Sequence, residues 1–142
     1  MIVIVVEGVS DEGIIDGICD KLFVKRKILL MRGNNPKKAV RLINSIRMRM
    51  DFDKIIMLKD LHNYREEFIR NVFENIKNAI YDIAFYGIIV KKEIEAWLLA
   101  DENIISKYAK CDVKIKIGNP EVIDYPAKFL DDIFRRCGKR YI

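Results

Sequence analysis

The sequence predicts an α/β fold: three α/β/α layers around a central, mostly parallel four-stranded sheet. Short apolar runs alternate with longer segments whose apolar residues recur every three or four positions, which is the pattern of βαβ units. Four runs read as strands: 2–6, 27–31, 54–58 and a stretch within 83–90. The segments between them have helical length, and right-handed crossovers then place helices on both faces of the sheet.

Ile2–Val6 is the first strand and runs straight into Glu7-Gly8. Ser10 is placed to cap a helix whose first turn carries Asp11 and Glu12, acids that favour the positive helix end. Ile14, Ile18 and Leu22 recur every four residues and form its expected core stripe. Lys27–Met31 is the second strand. Arg32-Gly33-Asn34-Asn35 then reads as a turn, with Pro36 suited to the first position of a helix. On that helix Ala39, Ile43, Ile46 and Met50 share one face, and Lys38, Arg41, Ser45 and Arg49 share the other. Lys54–Leu58 is the third strand, followed by Lys59-Asp60-Leu61-His62-Asn63. Phe68, Val72, Phe73, Ile76 and Ile80 mark the next helix, and Ile83–Val90 contains the fourth strand, interrupted by Gly87. Residues 92–101 have a helical pattern in which Trp97 joins Ile94, Leu98 and Ile105 as core; base stacking is the minority reading of Trp97. Residues 110–125 are mixed, and Ala127–Arg136 reads as a last helix. The expectation is one domain over 1–142, with a core to about residue 109 and a helical extension from about residue 110.

With 51% apolar and 33% charged residues the chain has the composition of a folded protein. No apolar run reaches the length of a membrane span, and the N-terminus lacks the basic start and small-residue cleavage site of a signal peptide. Cys19, Cys111 and Cys137 are odd in number and widely spaced, which fits reduced thiols in a cytoplasmic protein. His62 is the only histidine and there is no Cys-x-x-Cys pair, so a zinc site built on paired histidines is excluded. The net charge of +5 is unevenly spread. Ten basic residues and no acid lie between Lys21 and Met50, leaving sixteen basic against twenty-one acidic residues elsewhere. Such a block suits a polyphosphate partner; a solvated basic face is the plainer alternative.

Ligands of open parallel sheets bind outside the carboxyl ends of the strands. Glu7 follows strand one, Asp60 follows strand three, and Glu93 and Glu95 follow strand four, so three segments bring acids to that edge. The turn with Arg32 belongs at the same edge. Clustered carboxylates repel unless a positive group lies between them, and Mg²⁺ or Mn²⁺ is a natural one. Gly8 is expected to let the backbone turn tightly beside Glu7. Each acid taken singly also reads as a loop residue or a helix cap. Asp51-Phe52-Asp53 precedes strand three, so it belongs at the amino edge as a solvated turn.

Glu7-Gly8-Val9-Ser10-Asp11 at the end of a first strand resembles the Glu-Gly-x-x-Asp signature of Toprim domains. Asp60-Leu61-His62 is similar to the family's second signature, Asp-x-Asp, with His62 in the place of the second aspartate. Ile94-Glu95-Ala96-Trp97-Leu98-Leu99-Ala100-Asp101, and Asn119-Pro120-Glu121 followed by Asp124-Tyr125-Pro126, resemble motifs of a small Toprim-like branch related to OLD nucleases. The resemblance spans most of the chain and implies a Toprim-like, Rossmann-like three-layer fold. It implies Glu7 as the general acid/base or a metal neighbour, Asp60 as a Mg²⁺ ligand and Glu95 as an assisting one. Imidazole is a poor ligand for Mg²⁺ but acceptable to Mn²⁺, and it transfers protons near neutral pH, so His62 is a candidate catalytic group.

The function expected on this basis is divalent-metal-dependent cleavage of phosphodiesters in DNA or RNA, with Arg32, Lys37, Lys38, Arg41 and Arg49 holding the backbone. The alternatives are a non-catalytic nucleic-acid-binding module, or a subunit that docks on a larger nuclease or ATPase partner. A protein partner or a homodimer is compatible with the sequence; a membrane is not expected.

Overall fold

The computed structural model describes residues 1–91, 93–99, 106, 110, 118–139 and 141. Four strands are present: β1 (Ile2–Val6), β2 (Arg26–Leu30), β3 (Lys54–Asp60) and β4 (Ala84–Val90). They form one all-parallel sheet in the order β2-β1-β3-β4. Three helices connect them: α1 (Val9–Lys21), α2 (Pro36–Arg47) and α3 (Glu66–Ala79). β1 pairs with β2 from Ile2↔Arg26 to Val6↔Leu30, and with β3 from Ile2↔Lys54 to Val5↔Met57.

The strand order explains the layers. The first crossover runs from β1 to one neighbour, and the next two run in the opposite direction. Right-handed connections therefore place α1 on one face and α2 and α3 on the other. The core agrees: Val3, Val5, Ile55 and Met57 pack with Ala39 and Ile43 of α2 and with Ile69 and Ile76 of α3. On the other face Ile4, Val6 and Leu58 are buried, and α1 contributes Ile15 and Cys19. Arg26 of β2 reaches α1 with Nε 2.9 Å from Asp16 Oδ1, and also pairs with Asp20.

Several local expectations are corrected. α1 begins at Val9 with Gly8 as its N-cap, not Ser10, and its buried face is Asp11, Ile15 and Cys19. Ile18 and Leu22, expected in the core, are 37% and 67% exposed. The face is turned by one residue because Ile14 stands beside Ile15 and Ile18 beside Cys19, so the sequence allowed two stripes. On α3, Ile69 is buried and Phe68 is half-exposed, stacked on Tyr64 with ring centroids 5.4 Å apart. Gly87 does serve packing: a Cβ there would lie 2.3 Å from the Phe73 ring.

The chain divides into two compact units, Met1–Ile89 and Val90–Ile142. In the second, α4 (Glu95–Leu98) precedes a 3₁₀ turn, Pro120–Val122, and a last helix, α5 (Pro126–Arg136). Its core is Leu99, Leu130, Ile133 and Phe134, with Tyr141 packed edge-on to Phe134 at 5.5 Å. Trp97, expected in the core, is 41% exposed. Cys19 is a free buried thiol, whereas Cys137 is disulfide-bonded, against the expectation of three reduced thiols. Ala100 and Asp101 of the Glu95 motif, together with Ile105 and Cys111, lie outside the described residues. Among the described residues no helix is long and apolar enough to cross a membrane.

Candidate functional site

In the order β2-β1-β3-β4 the direction of winding reverses between β1 and β3. This switch point is where the carboxyl ends of parallel strands leave a crevice for ligands. Glu7 stands one residue past β1 and Asp60 is the last residue of β3, so both expected acids lie at the switch point.

The β1–β3 register carried two places beyond Val5↔Met57 sets Glu7 beside Lys59. Lys59 Nζ donates to Glu7 Oε1 at 3.0 Å and to the Gly33 carbonyl. Only 1% of the Lys59 side chain is exposed. Gly33 has φ +81°, the left-handed conformation that glycine adopts without strain, and this turns its carbonyl inward. The turn after β2 is thereby fastened to the ends of β1 and β3. Lys59 is a site residue that neither periodicity nor motif singles out. The available signal was a lysine inside the otherwise apolar strand Lys54-Ile55-Ile56-Met57-Leu58-Lys59-Asp60, directly opposite Glu7 in register.

Strand alternation sends Lys59 to the α2 side, with Ile55 and Met57, and Asp60 to the α1 side, with Leu58. His62 connects the two sides. Its Nε2 is 3.8 Å from Glu7 Oε2 and 3.7 Å from Asp60 Oδ2. The residue adopts φ +45°, an uncommon conformation that histidine tolerates better than most residues, and its side chain is 43% exposed. Glu7, Asp60 and His62 each offer one ligand atom, all within 4.8 Å of one another. Two carboxylates and an imidazole fit Mn²⁺ or another transition ion better than Mg²⁺, which prefers oxygen alone.

Asp11 starts the buried face of α1, and its Oδ2 accepts the Gly8 N–H at 3.0 Å. Because glycine has no side chain, only this returning half of a capping box exists. Burial pushes the Asp11 carboxyl above its ordinary range, and nearby Glu7 adds to the rise; the Gly8 hydrogen bond opposes it. The chain does bend at Glu7 and Gly8, but not through a conformation that needs glycine. The Gly8 φ of −142° is extended backbone, and a Cβ would meet Asp11 Oδ2 at an ordinary 3.8 Å.

Glu95 lies in the second unit, where its Oε1 accepts the Tyr141 hydroxyl at 3.4 Å. Glu93 accepts the Ala127 N–H at 3.3 Å, at the start of α5. The Asp53 N–H donates to the Met1 carbonyl at 2.9 Å, which places the Asp51–Asp53 pair at the amino edge as expected.

The basic block separates by position. Arg32 lies in the Gly33 turn, and Lys37, Lys38 and Arg41 are exposed on the first turns of α2, at the carboxyl edge. The Asn35 side chain caps this helix by accepting the Lys37 N–H at 3.0 Å. Arg49 follows the far end of α2, so it stands at the amino edge, apart from the other four. Arg26 and Arg47 are taken up by Asp16, Asp20 and Asp82.

No protein-family model, curated protein or solved structure matches this chain.

Proposed function

We propose that the protein is a divalent-metal-dependent, Toprim-like nuclease acting on DNA or RNA. The observation that carries this reading is the meeting of Glu7, Asp60 and His62 at the switch point between β1 and β3. An ion held by these residues would polarise a phosphoryl oxygen and offset charge developing on it. Glu7 Oε2, Asp60 Oδ2 and His62 Nε2 are the atoms that would bind it, and the imidazole favours Mn²⁺. Lys59 orients the Glu7 carboxylate by holding its other oxygen. Arg32, Lys37, Lys38 and Arg41 line the same edge and would hold the phosphate backbone without regard to base sequence. His62 is the most exposed of the three groups, at 43% of its side chain, and is where a polymer substrate would approach the cluster.

One observation favours a second reading, a binding module without cleavage. The buried Lys59 already gives Glu7 a hydrogen-bonded counter-charge at 3.0 Å, a partner the carboxylate has without a metal.

The two readings separate on labelled single- and double-stranded DNA and RNA, incubated with Mg²⁺, Mn²⁺ or EDTA. Cleavage is expected with Mn²⁺, and Glu7→Gln is expected to lower it by about a hundredfold or more, because the ion would lose a charged ligand. Cleavage that survives EDTA, or survives in Glu7→Gln, contradicts the metal-dependent reading. Binding without cleavage selects the module.

A further inference from the structure

An ammonium in a protein interior is costly unless it is paired and hydrogen-bonded. Lys59 is fully buried at a site that would itself bind a cation, and its place there calls for a reason. Its two acceptors are Glu7 Oε1, at 3.0 Å, and the Gly33 carbonyl. The other oxygen of Glu7, Oε2, lies 3.8 Å from His62 Nε2, which is 3.7 Å from Asp60 Oδ2. The Glu7 carboxylate is therefore divided: one oxygen serves a fixed ammonium, and the other opens toward Asp60 and His62.

Phosphoryl-transfer sites with two metals hold their ions roughly 3.5–4 Å apart. A carboxylate that bridges such a pair gives one oxygen to each ion. Here Glu7 offers only Oε2 to the cluster, because its Oε1 is already committed to Lys59.

Building on the metal-dependent reading above, we propose that Lys59 stands in place of a second divalent cation. The site takes one ion, between Glu7 Oε2, Asp60 Oδ2 and His62 Nε2. Lys59 is a positioning residue: it touches no reacting atom, but it fixes the Glu7 carboxylate and fastens the Arg32 turn beside it. Its charge has a second consequence. A fixed positive charge beside a divalent ion repels it even at the moderate effective dielectric of a protein, so Lys59 weakens the ion's hold. A merely structural lysine, once removed, would loosen the site; this one, once removed, tightens metal binding.

The test is a titration of the full chain with Mn²⁺, counting free ion by electron paramagnetic resonance. Wild type is expected to bind one ion, and Glu7→Gln is expected to lose it. Lys59→Met keeps the unbranched stem, one atom shorter, and removes its charge, and it should bind Mn²⁺ at least about tenfold more tightly. Lys59→Arg, which keeps the charge, should show no such gain. Two ions on the wild type overturn the proposal and leave the metal-dependent reading standing. Unchanged or weaker Mn²⁺ binding in a folded Lys59→Met protein, checked by circular dichroism, also overturns it. No ion on the wild type overturns the metal-dependent reading and this proposal with it. Should Lys59→Met not fold, the wild-type stoichiometry decides.

Discussion

Asp11 shows how one buried carboxyl sets a pH dependence. Only 7% of the residue is exposed, and burial raises its pKa in the folded protein. A raised carboxyl means that the folded chain holds the proton more tightly than the unfolded chain does. At pH below the ordinary aspartate value of about 4, Asp11 is protonated in both states and imposes no penalty. As pH rises through the folded-state value, the buried charge forms and stability is lost. Asp11→Asn keeps an acceptor for the Gly8 N–H and removes that charge. It should unfold at higher urea than wild type at pH 7, and the gain should shrink as pH approaches 4. A gain of equal size at every pH would mean that something other than burial of charge is responsible. Asp11 is a signature position by resemblance, and its place in the sequence also suits a helix start. Only the packing of α1 shows that it heads the buried stripe. Lys59 was hidden for a related reason: a strand-end lysine usually extends its ammonium to water, and the partners that hold this one come from residues 26 and 52 positions away.

At the scale of elements, α1 tests the difference between a pattern and a contact. The spacing of Ile14, Ile18 and Leu22 is as regular as that of Asp11, Ile15 and Cys19, and only the second set is buried. Ile15→Ala should cost about 2–5 kcal/mol of stability, as core truncations do. Leu22→Ala, at a position 67% exposed, should change stability by no more than about 0.5 kcal/mol. Urea midpoints of the two variants decide which face is core; equal losses would restore the first stripe. The same reasoning separates α2 from α1. Ala39, Ile43 and Ile46 face lysine and arginine on the opposite side, so only one apolar stripe could be drawn, and that stripe is the buried one. Strands β1 and β3 were also legible, because runs of β-branched and aliphatic residues have few other stable uses.

Across the whole molecule, the decisive quantity is where the charges fall. The block from Lys21 to Met50 is one stretch of sequence, yet the fold distributes it between two ends of the sheet. Arg32, Lys37, Lys38 and Arg41 stand with Glu7 and Asp60 at the carboxyl edge. Arg49 stands at the amino edge, eleven residues along from Lys38, or about 16 Å at the helical rise. If the proposed function holds, Lys38→Glu should weaken binding to a DNA or RNA probe about tenfold at 0.1 M salt. It should also lower the salt slope by about one. Arg49→Glu should change both far less. Fluorescence anisotropy across a salt series measures the two together. Equal effects from the two variants would mean that overall charge, and not the edge that carries the carboxylates, draws the nucleic acid.

The sequence by itself determined the α/β class, the four strands, the parallel sheet and the placement of Glu7 and Asp60 at strand ends. These follow from periodicity and chain length, which are local and repeat over many residues. Tertiary structure alone decided the strand order, the buried face of α1, the separation of Arg49 from the other basic residues and the clamp of Lys59 between Glu7 and Gly33. Those depend on which distant segments meet. A side chain in register with a partner fifty residues away leaves no periodic trace, and only the folded sheet brings the two within 3.0 Å.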